Sequence, residues 1–277
     1  CLSCRSCETS CPQGVHYGRL LDVGRELVEQ SVPRPLKERL YRRAVRAIVP
    51  HRSRFTALLR TAQALRRFLP AKLQSRVPPR RPAGAWPQRA HARTMLIWQG
   101  CVQPALAPDI NAAAARVLDR FGIRLLPAPD GCCGVMSHHL SAADEARAHM
   151  KRNIDALWPH VEAGVEALVL TASGCGMHFR EYGQLLQDDP DYREKAQRVS
   201  ELTRDIAEIV VDAWQDTAPE APAGQPPRRI VFQSSCSLQH GEKLNGVVEK
   251  LLKRAGFRLL PVTYSFMCCG AAGAYSL

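Results

Sequence analysis

The chain has 277 residues, 45% hydrophobic and 23% charged, with 38 Lys and Arg against 26 Asp and Glu, 20 Pro and 11 Cys. These proportions are those of a globular protein and exclude wholesale disorder or a collagen-like repeat, and there is no run of about 18 apolar residues to make a spanning helix. An odd number of cysteines in a large chain without a secretory leader argues against a disulfide framework and for metal or cluster ligands in a reducing compartment.

The first motif is Cys1, Cys4, Cys7 and Cys11, followed by Pro12. This is the spacing of the bacterial ferredoxin run, in which three closely spaced thiolates grip one [4Fe–4S] cube and the cysteine before proline ligates a second. Two intervening residues let consecutive thiolates wrap one corner of a cube, whereas Cys11 starts the next element and points away. Thiolates also bind zinc, but structural zinc sites usually draw two well-separated ligand pairs. The chain opens on Cys1 rather than Met, and the run alone completes neither cluster. It therefore reads as a fragment lacking both ends, with a further cysteine run expected upstream.

Residues 33–93 carry 17 Lys and Arg and a single acid, Glu38. This one segment makes the protein basic, and the remainder is net acidic. Leu36, Leu40, Ala44 and Ile48 recur every four residues, and Phe55, Leu58, Leu59, Ala62, Leu65 and Leu69 at three and four, which predicts two amphipathic helices. A Pro-rich run at 78–87 closes the segment. Positive charge beside an apolar stripe suits docking on an anionic membrane or an acidic partner, the plainer alternative being a solvated connector. No nucleic-acid partner is expected, since charge alone would support it and no binding motif accompanies the charge.

The rest of the chain is an internal repeat. The first copy runs from the strand-like 97–99 to Cys101, then Asn111, an amphipathic helix ending at Gly122, a short strand at Ile123–Leu126, and Cys132-Cys133-Gly134. It continues through a helix at Ser141–Glu162 and a strand at Glu166–Thr171 to Cys175. A Pro- and Ala-rich boundary at 217–227 follows. The second copy runs from Arg229–Gln233 to Cys236, then Asn245, Gly256, a strand-like 257–260 and Cys268-Cys269-Gly270. Asparagine precedes glycine by 11 residues in both, and the lone cysteine precedes the pair by 31 and 32. Strand, helix, strand and cysteine loop make an α/β unit. Ligands in such units gather beyond the carboxyl ends of the strands, so Cys101, Cys132, Cys133 and Cys175 are expected to converge on one redox or metal centre, with Cys236, Cys268 and Cys269 an incomplete twin.

The stretch from Cys1 to Arg25, the two Cys-Cys-Gly repeats, Ser173-Gly174-Cys175-Gly176, Glu181–Gln184 and Lys243–Lys250 together resemble the iron–sulfur subunits of bacterial glycolate oxidase. The wider group includes the small subunit of anaerobic glycerol-3-phosphate dehydrogenase, lactate-utilisation proteins and heterodisulfide reductase subunits. The resemblance implies an electron conduit with two [4Fe–4S] clusters in the complete protein, and a further cluster or zinc at the Cys-Cys-Gly sites. It also implies flavin-containing partner subunits that oxidise glycolate, and a cytoplasmic location, peripheral on the inner membrane. The absence of a Gly-x-Gly-x-x-Gly loop agrees that hydride chemistry needs another chain. The alternative is a catalytic reductase of the heterodisulfide type, acting through a cluster at the Cys-Cys-Gly sites.

The expected architecture is α/β: a small helical ferredoxin-like module at 1–32, a basic helical linker at 33–93, a first Cys-Cys-Gly unit at 94–216 and a truncated second unit at 228–277. His138, His139, His178 and His240 lie near the cysteines in sequence and read more readily as surface or supporting groups than as ligands. Trp98 and Trp158 read as core.

Overall fold

A computed structural model of the chain describes residues 3–129, 131–214 and 228–267. Cys1, Cys268, Cys269 and the boundary at 217–227 lie outside them.

The amino-terminal third is helical, with α1 (Ser6–Ser10), α2 (Tyr17–Ser31), α3 (Leu36–Ile48), α4 (Arg52–Ala64) and the short α5 (Ala71–Gln74), followed by an extended strap to residue 91. Pro35 and Pro70 sit immediately before α3 and α5, where a missing N–H costs no helical hydrogen bond. No residue of these five helices is buried. The predicted stripe on α3 therefore faces solvent, with Leu36 68% and Leu40 56% exposed. Some of the linker's cations are half-buried and paired instead of forming a wet face. Arg46 pairs with Glu145 at 2.9 Å, Arg42 donates to the carbonyl of Leu140 at 3.4 Å, and Arg66 donates to the carbonyl of Val77 at 3.0 Å.

The first Cys-Cys-Gly unit contains β1 (Arg93–Ile97), α6 (Gln103–Leu106), α7 (Asp109–Arg120), β2 (Ile123–Pro127), α8 (Val135–His139), α9 (Ala143–Glu162), β3 (Leu168–Leu170), α10 (Ser173–Arg180), α11 (Tyr182–Leu185), α12 (Arg193–Leu202), β4 (Thr203–Asp205) and α13 (Ile206–Trp214). Its four strands are all parallel, in the order β2-β1-β3-β4, with Met95 opposite Leu125 and Ile97 opposite Val169. Successive side chains of a strand point to opposite faces. Met95 and Ile97 accordingly join Leu118, Ile123, Ile209 and Trp214 on one side of the sheet, while Leu96 and Trp98 join Ile154, Leu157, Phe179 and Tyr182 on the other. Burial on both faces is what a parallel sheet requires.

The helix expected from Ser141 begins at Ala143 and is preceded by a separate α8, because Ser141 takes φ +58 and breaks the run. Trp98 is core, at 3% exposure. Trp158 is not: it is half-buried on the outside of α9, donating to Glu162 at 2.8 Å with Lys195 over its ring.

The second unit contributes β5 (Arg229–Val231), a π-helical turn at Ser237–Gly241, α14 (Val247–Arg254) and β6 (Arg258–Leu260). β5 and β6 pair in parallel as a separate two-stranded sheet. Leu251 and Ala255 pack on the core cluster beneath α13, and Arg254 donates to the carbonyl of Trp214 at 2.7 Å.

Candidate functional site

Three parallel strands deliver cysteine-bearing loops to one edge of the sheet. Cys101 lies beyond β1, Cys132 and Cys133 beyond β2, and Cys175 in the first turn of α10 beyond β3. The Cys133 and Cys175 sulfurs lie within hydrogen-bonding distance, 3.4 Å apart, although 42 residues separate them. Cys132 is hydrogen-bonded to both Cys101 and Cys133, and its sulfur accepts the Gly134 N–H at 3.4 Å. None of the eight described cysteines forms a disulfide.

Cys101, Cys132 and Cys133 share charge unequally. Hydrogen bonds from the Cys101 and Cys133 thiols, aided by the Gly134 N–H, hold Cys132 well below the usual thiol range. The same bonds, together with burial, push Cys101 and Cys133 up. This arrangement favours charge on Cys132 over Cys101 and Cys133. Their contacts run as a line, and among the described residues no three or more His, Cys, Asp or Glu side chains are disposed around one metal ion. The donor set itself is all sulfur, which is the chemistry of iron–sulfur and zinc centres.

The vicinal pair is fixed by buried polar groups. Asn153 of α9 donates to the Cys132 carbonyl at 2.8 Å and to the Tyr182 hydroxyl at 3.0 Å, and that hydroxyl donates to the Cys133 carbonyl at 2.6 Å. Gly134 adopts φ +98, and a β-carbon there would stand 3.1 Å from the Ala146 carbonyl and 3.3 Å from Nε2 of His178. The glycine of Cys-Cys-Gly is thus required by both conformation and space.

The amino-terminal cysteine loop docks on this unit. Arg5 pairs with Glu181, and Asp22 with His138 at 3.2 Å. Ser3 and Arg5 both take positive φ around Cys4, and the Glu8 carboxylate accepts the Gly18 N–H at 2.5 Å. Cys7 is exposed, and Cys4 and Cys11 are half-buried. Backbone N–H groups of Val15 and Gln13 lower the Cys11 thiol, as a loop built to hold a thiolate would. Cys1 lies outside the described residues.

The second unit reaches the same place. Ser235 and Ser237, on either side of Cys236, share hydrogen bonds with Ser173 at 2.9 and 2.7 Å, two residues from Cys175. His240 meets Thr9 at 2.8 Å. Glu242 is 5% exposed, its carboxylate lies against Gly176, and neither oxygen has a hydrogen-bond partner among the described residues. Cys268 and Cys269 lie outside the described residues.

The glycolate oxidase iron–sulfur subunit of Escherichia coli (strain K12) is 47% identical over 279 residues, spanning all of this chain and 68% of that relative. The chain belongs to the family of glycolate oxidase iron–sulfur subunits. The cysteine-rich domain family matches residues 95–180 and 230–277, the two repeats read from the spacing. A probable glycolate oxidase iron–sulfur subunit of Bacillus subtilis (strain 168) is 28% identical over the whole chain and 68% of its own length. Lactate utilization protein A of Exiguobacterium sp. is 25% identical over 64% of this chain and 71% of its own. No solved structure matches.

In this family member the sequence reading missed Asn153, Tyr182, His149 and Glu242. His149 is 5% exposed and electrostatically coupled to Cys132, and burial lowers its pKa. Of the four histidines singled out earlier, His178 is buried, with its pKa far down through burial, and the other three are half-buried. No local pattern marks these residues, because their partners come from distant elements. A polar residue on the apolar face of α9, as Asn153 is, was the one available signal.

Proposed function

We propose that this chain is the electron-transferring subunit of a flavin-dependent glycolate dehydrogenase complex. The observation that carries the reading is the convergence of Cys101, Cys132, Cys133 and Cys175 on one sheet edge, with the Cys4, Cys7 and Cys11 loop docked on the same unit. It is supported by the membership of this chain in its family. In this reading Cys1, Cys4 and Cys7 hold one [4Fe–4S] cluster and Cys11 joins a second, while the Cys-Cys-Gly cysteines, with Cys236, Cys268 and Cys269 in the second unit, hold a further cluster or zinc. Such clusters, when bound, store and release single electrons.

The chain's own residues supply position and charge. Backbone N–H groups at Cys11 and Gly134 stabilise thiolate sulfur, and Asn153 and Tyr182 keep the vicinal pair facing Cys101 and Cys175. Glycolate is oxidised on a separate flavin subunit, and its electrons leave through this chain to a membrane acceptor. The complex is cytoplasmic and peripheral on the membrane. Arg39 and Arg43 lie beside exposed Leu36 and Leu40 on α3, the composition of an interfacial helix. Sedimentation with anionic vesicles should weaken when both arginines become Gln.

The deciding experiment is anaerobic copurification with the flavin subunits, followed by iron and sulfide analysis and low-temperature magnetic resonance. Glycolate should reduce a cluster signal in the wild type, and Cys7→Ser and Cys175→Ser should each remove part of the bound iron. A complex without iron that still delivers electrons from glycolate to an acceptor would overturn the reading.

A further inference from the structure

Cys133 and Cys175 are set for a bond to each other. Their sulfurs lie 3.4 Å apart across two loops, and a disulfide needs about 2.05 Å, so the side chains have only a short distance to close. Both backbones are held in place. The Tyr182 hydroxyl donates to the Cys133 carbonyl at 2.6 Å, and the Cys175 N–H donates to the carbonyl of Ala172 at 2.9 Å.

The neighbouring pairs are less suited. Cys132 and Cys133 are adjacent, and consecutive α-carbons stand about 3.8 Å apart, closer than the roughly 4.4–6.8 Å of an ordinary disulfide. The Cys132 sulfur is held by Cys101, Cys133 and the Gly134 N–H together. A bond from Cys132 to Cys101 would give up the hydrogen bonds from Cys133 and Gly134, whereas a bond between Cys133 and Cys175 leaves Cys132 with Cys101 and Gly134.

The pair also combines a reachable sulfur with a shielded one. Cys175 is half-buried, and beside it Gly174 has open space where a side chain would stand, whereas Cys133 is 1% exposed. A small reagent meets Cys175 first.

We propose that Cys133 and Cys175 form a reversible disulfide when no metal is bound to them, with Cys175 as the point of attack and Cys133 as the resolving thiol. The oxidant is a low-molecular-weight disulfide. The Cys175 sulfur attacks one of its sulfurs, a mixed disulfide forms and the first small thiol leaves; the Cys133 sulfur then attacks the Cys175 sulfur and expels the second. Two electrons pass to the small disulfide, whose two halves leave as thiols carrying the protons of Cys133 and Cys175. Metal and cluster ligands are thiolates, so the bond withdraws two donors from the centre until a reductant restores them. The inference goes beyond the electron-transfer reading and holds whichever species the centre binds.

The test begins with the 277-residue protein, reduced, treated with chelator and freed of both reagents under anaerobic conditions. It is exposed to oxidised glutathione, alkylated, digested and mapped by mass spectrometry with fragmentation, which separates Cys132 from Cys133. Most chains should carry Cys133 linked to Cys175, and dithiothreitol should return both to alkylatable thiols. In Cys133→Ser, glutathione should stay on Cys175. In Cys175→Ser, Cys133 should take up glutathione at least about tenfold more slowly than Cys175 does in Cys133→Ser, because reactivity follows access. Circular dichroism checks the fold of each variant, and the wild-type map decides alone if either does not fold. Absence of a link, a link from Cys175 to Cys132 or Cys236, a link between Cys101 and Cys132 with Cys133 free, or equal modification of Cys133 and Cys175 in the two variants would each overturn the proposal. Because the readout is a covalent bond in the metal-free chain, failure here is distinct from failure of cluster loading.

Discussion

The carboxylate of Glu242, in the second Cys-Cys-Gly unit, lies against the α-carbon of Gly176, one residue beyond Cys175 in the first. Burial is the main force pushing this carboxyl up to about 8, with Asp205 and Glu208 adding to the shift and Arg180 opposing it. The folded protein therefore keeps Glu242 protonated where an unfolded chain ionises it, above its ordinary value of 4.5. Its contribution to stability is fully present below that value and is lost as pH rises toward 8. Glu242→Gln cannot ionise, so its stability relative to wild type should grow between pH 6 and 8, by an amount on the order of a few kcal/mol. Urea unfolding at the two pH values measures this, and parallel curves for the two proteins would contradict it.

Gly134→Ala should destabilise the first unit by about 1–3 kcal/mol, because a β-carbon at φ +98 is strained and would meet the backbone carbonyl of Ala146. It should also lower bound iron more than Gly24→Ala, a helical position with open space around the added atom. Thermal melts and metal analysis of the two variants are the comparison.

Tyr182→Phe removes a fully buried hydroxyl that donates to the Cys133 carbonyl and accepts from Asn153. Both partners lose a hydrogen bond in the interior, so a loss of about 1–3 kcal/mol is expected despite the near-identical shape. Denaturant titration reads it directly, and a change within error would show that the network does not fix the loop.

Arg5→Ala tests how the amino-terminal cysteine loop is held. Burial raises the Glu181 carboxyl and Arg5 opposes that shift, so removing Arg5 leaves a poorly solvated acid. The pair is partly exposed, so the cost should be about 1–2 kcal/mol, below the range for fully buried pairs. Limited proteolysis should cut between α1 and α2 sooner than in wild type, whereas Arg19→Ala should leave the cleavage rate unchanged.

The amino-acid sequence by itself determined the spacing of Cys1, Cys4, Cys7 and Cys11, the repeat with its vicinal cysteines, the α/β alternation and the helices of the basic linker. All of these are written in local periodicity and residue spacing, and the continuous apolar run from Met95 to Trp98 accounts for the two buried faces of β1. Only tertiary structure decided which sulfurs meet. Contact between Cys133 and Cys175 depends on β1 lying between β2 and β3, an order set by packing on both sheet faces and not by adjacency in the chain. The same holds for Arg42 and Arg46, indistinguishable in sequence from the linker's solvated cations until their distant partners are in place. It holds for Glu242, whose burial arises because the second unit packs against α10, where residue 176 has no side chain to stand in the way.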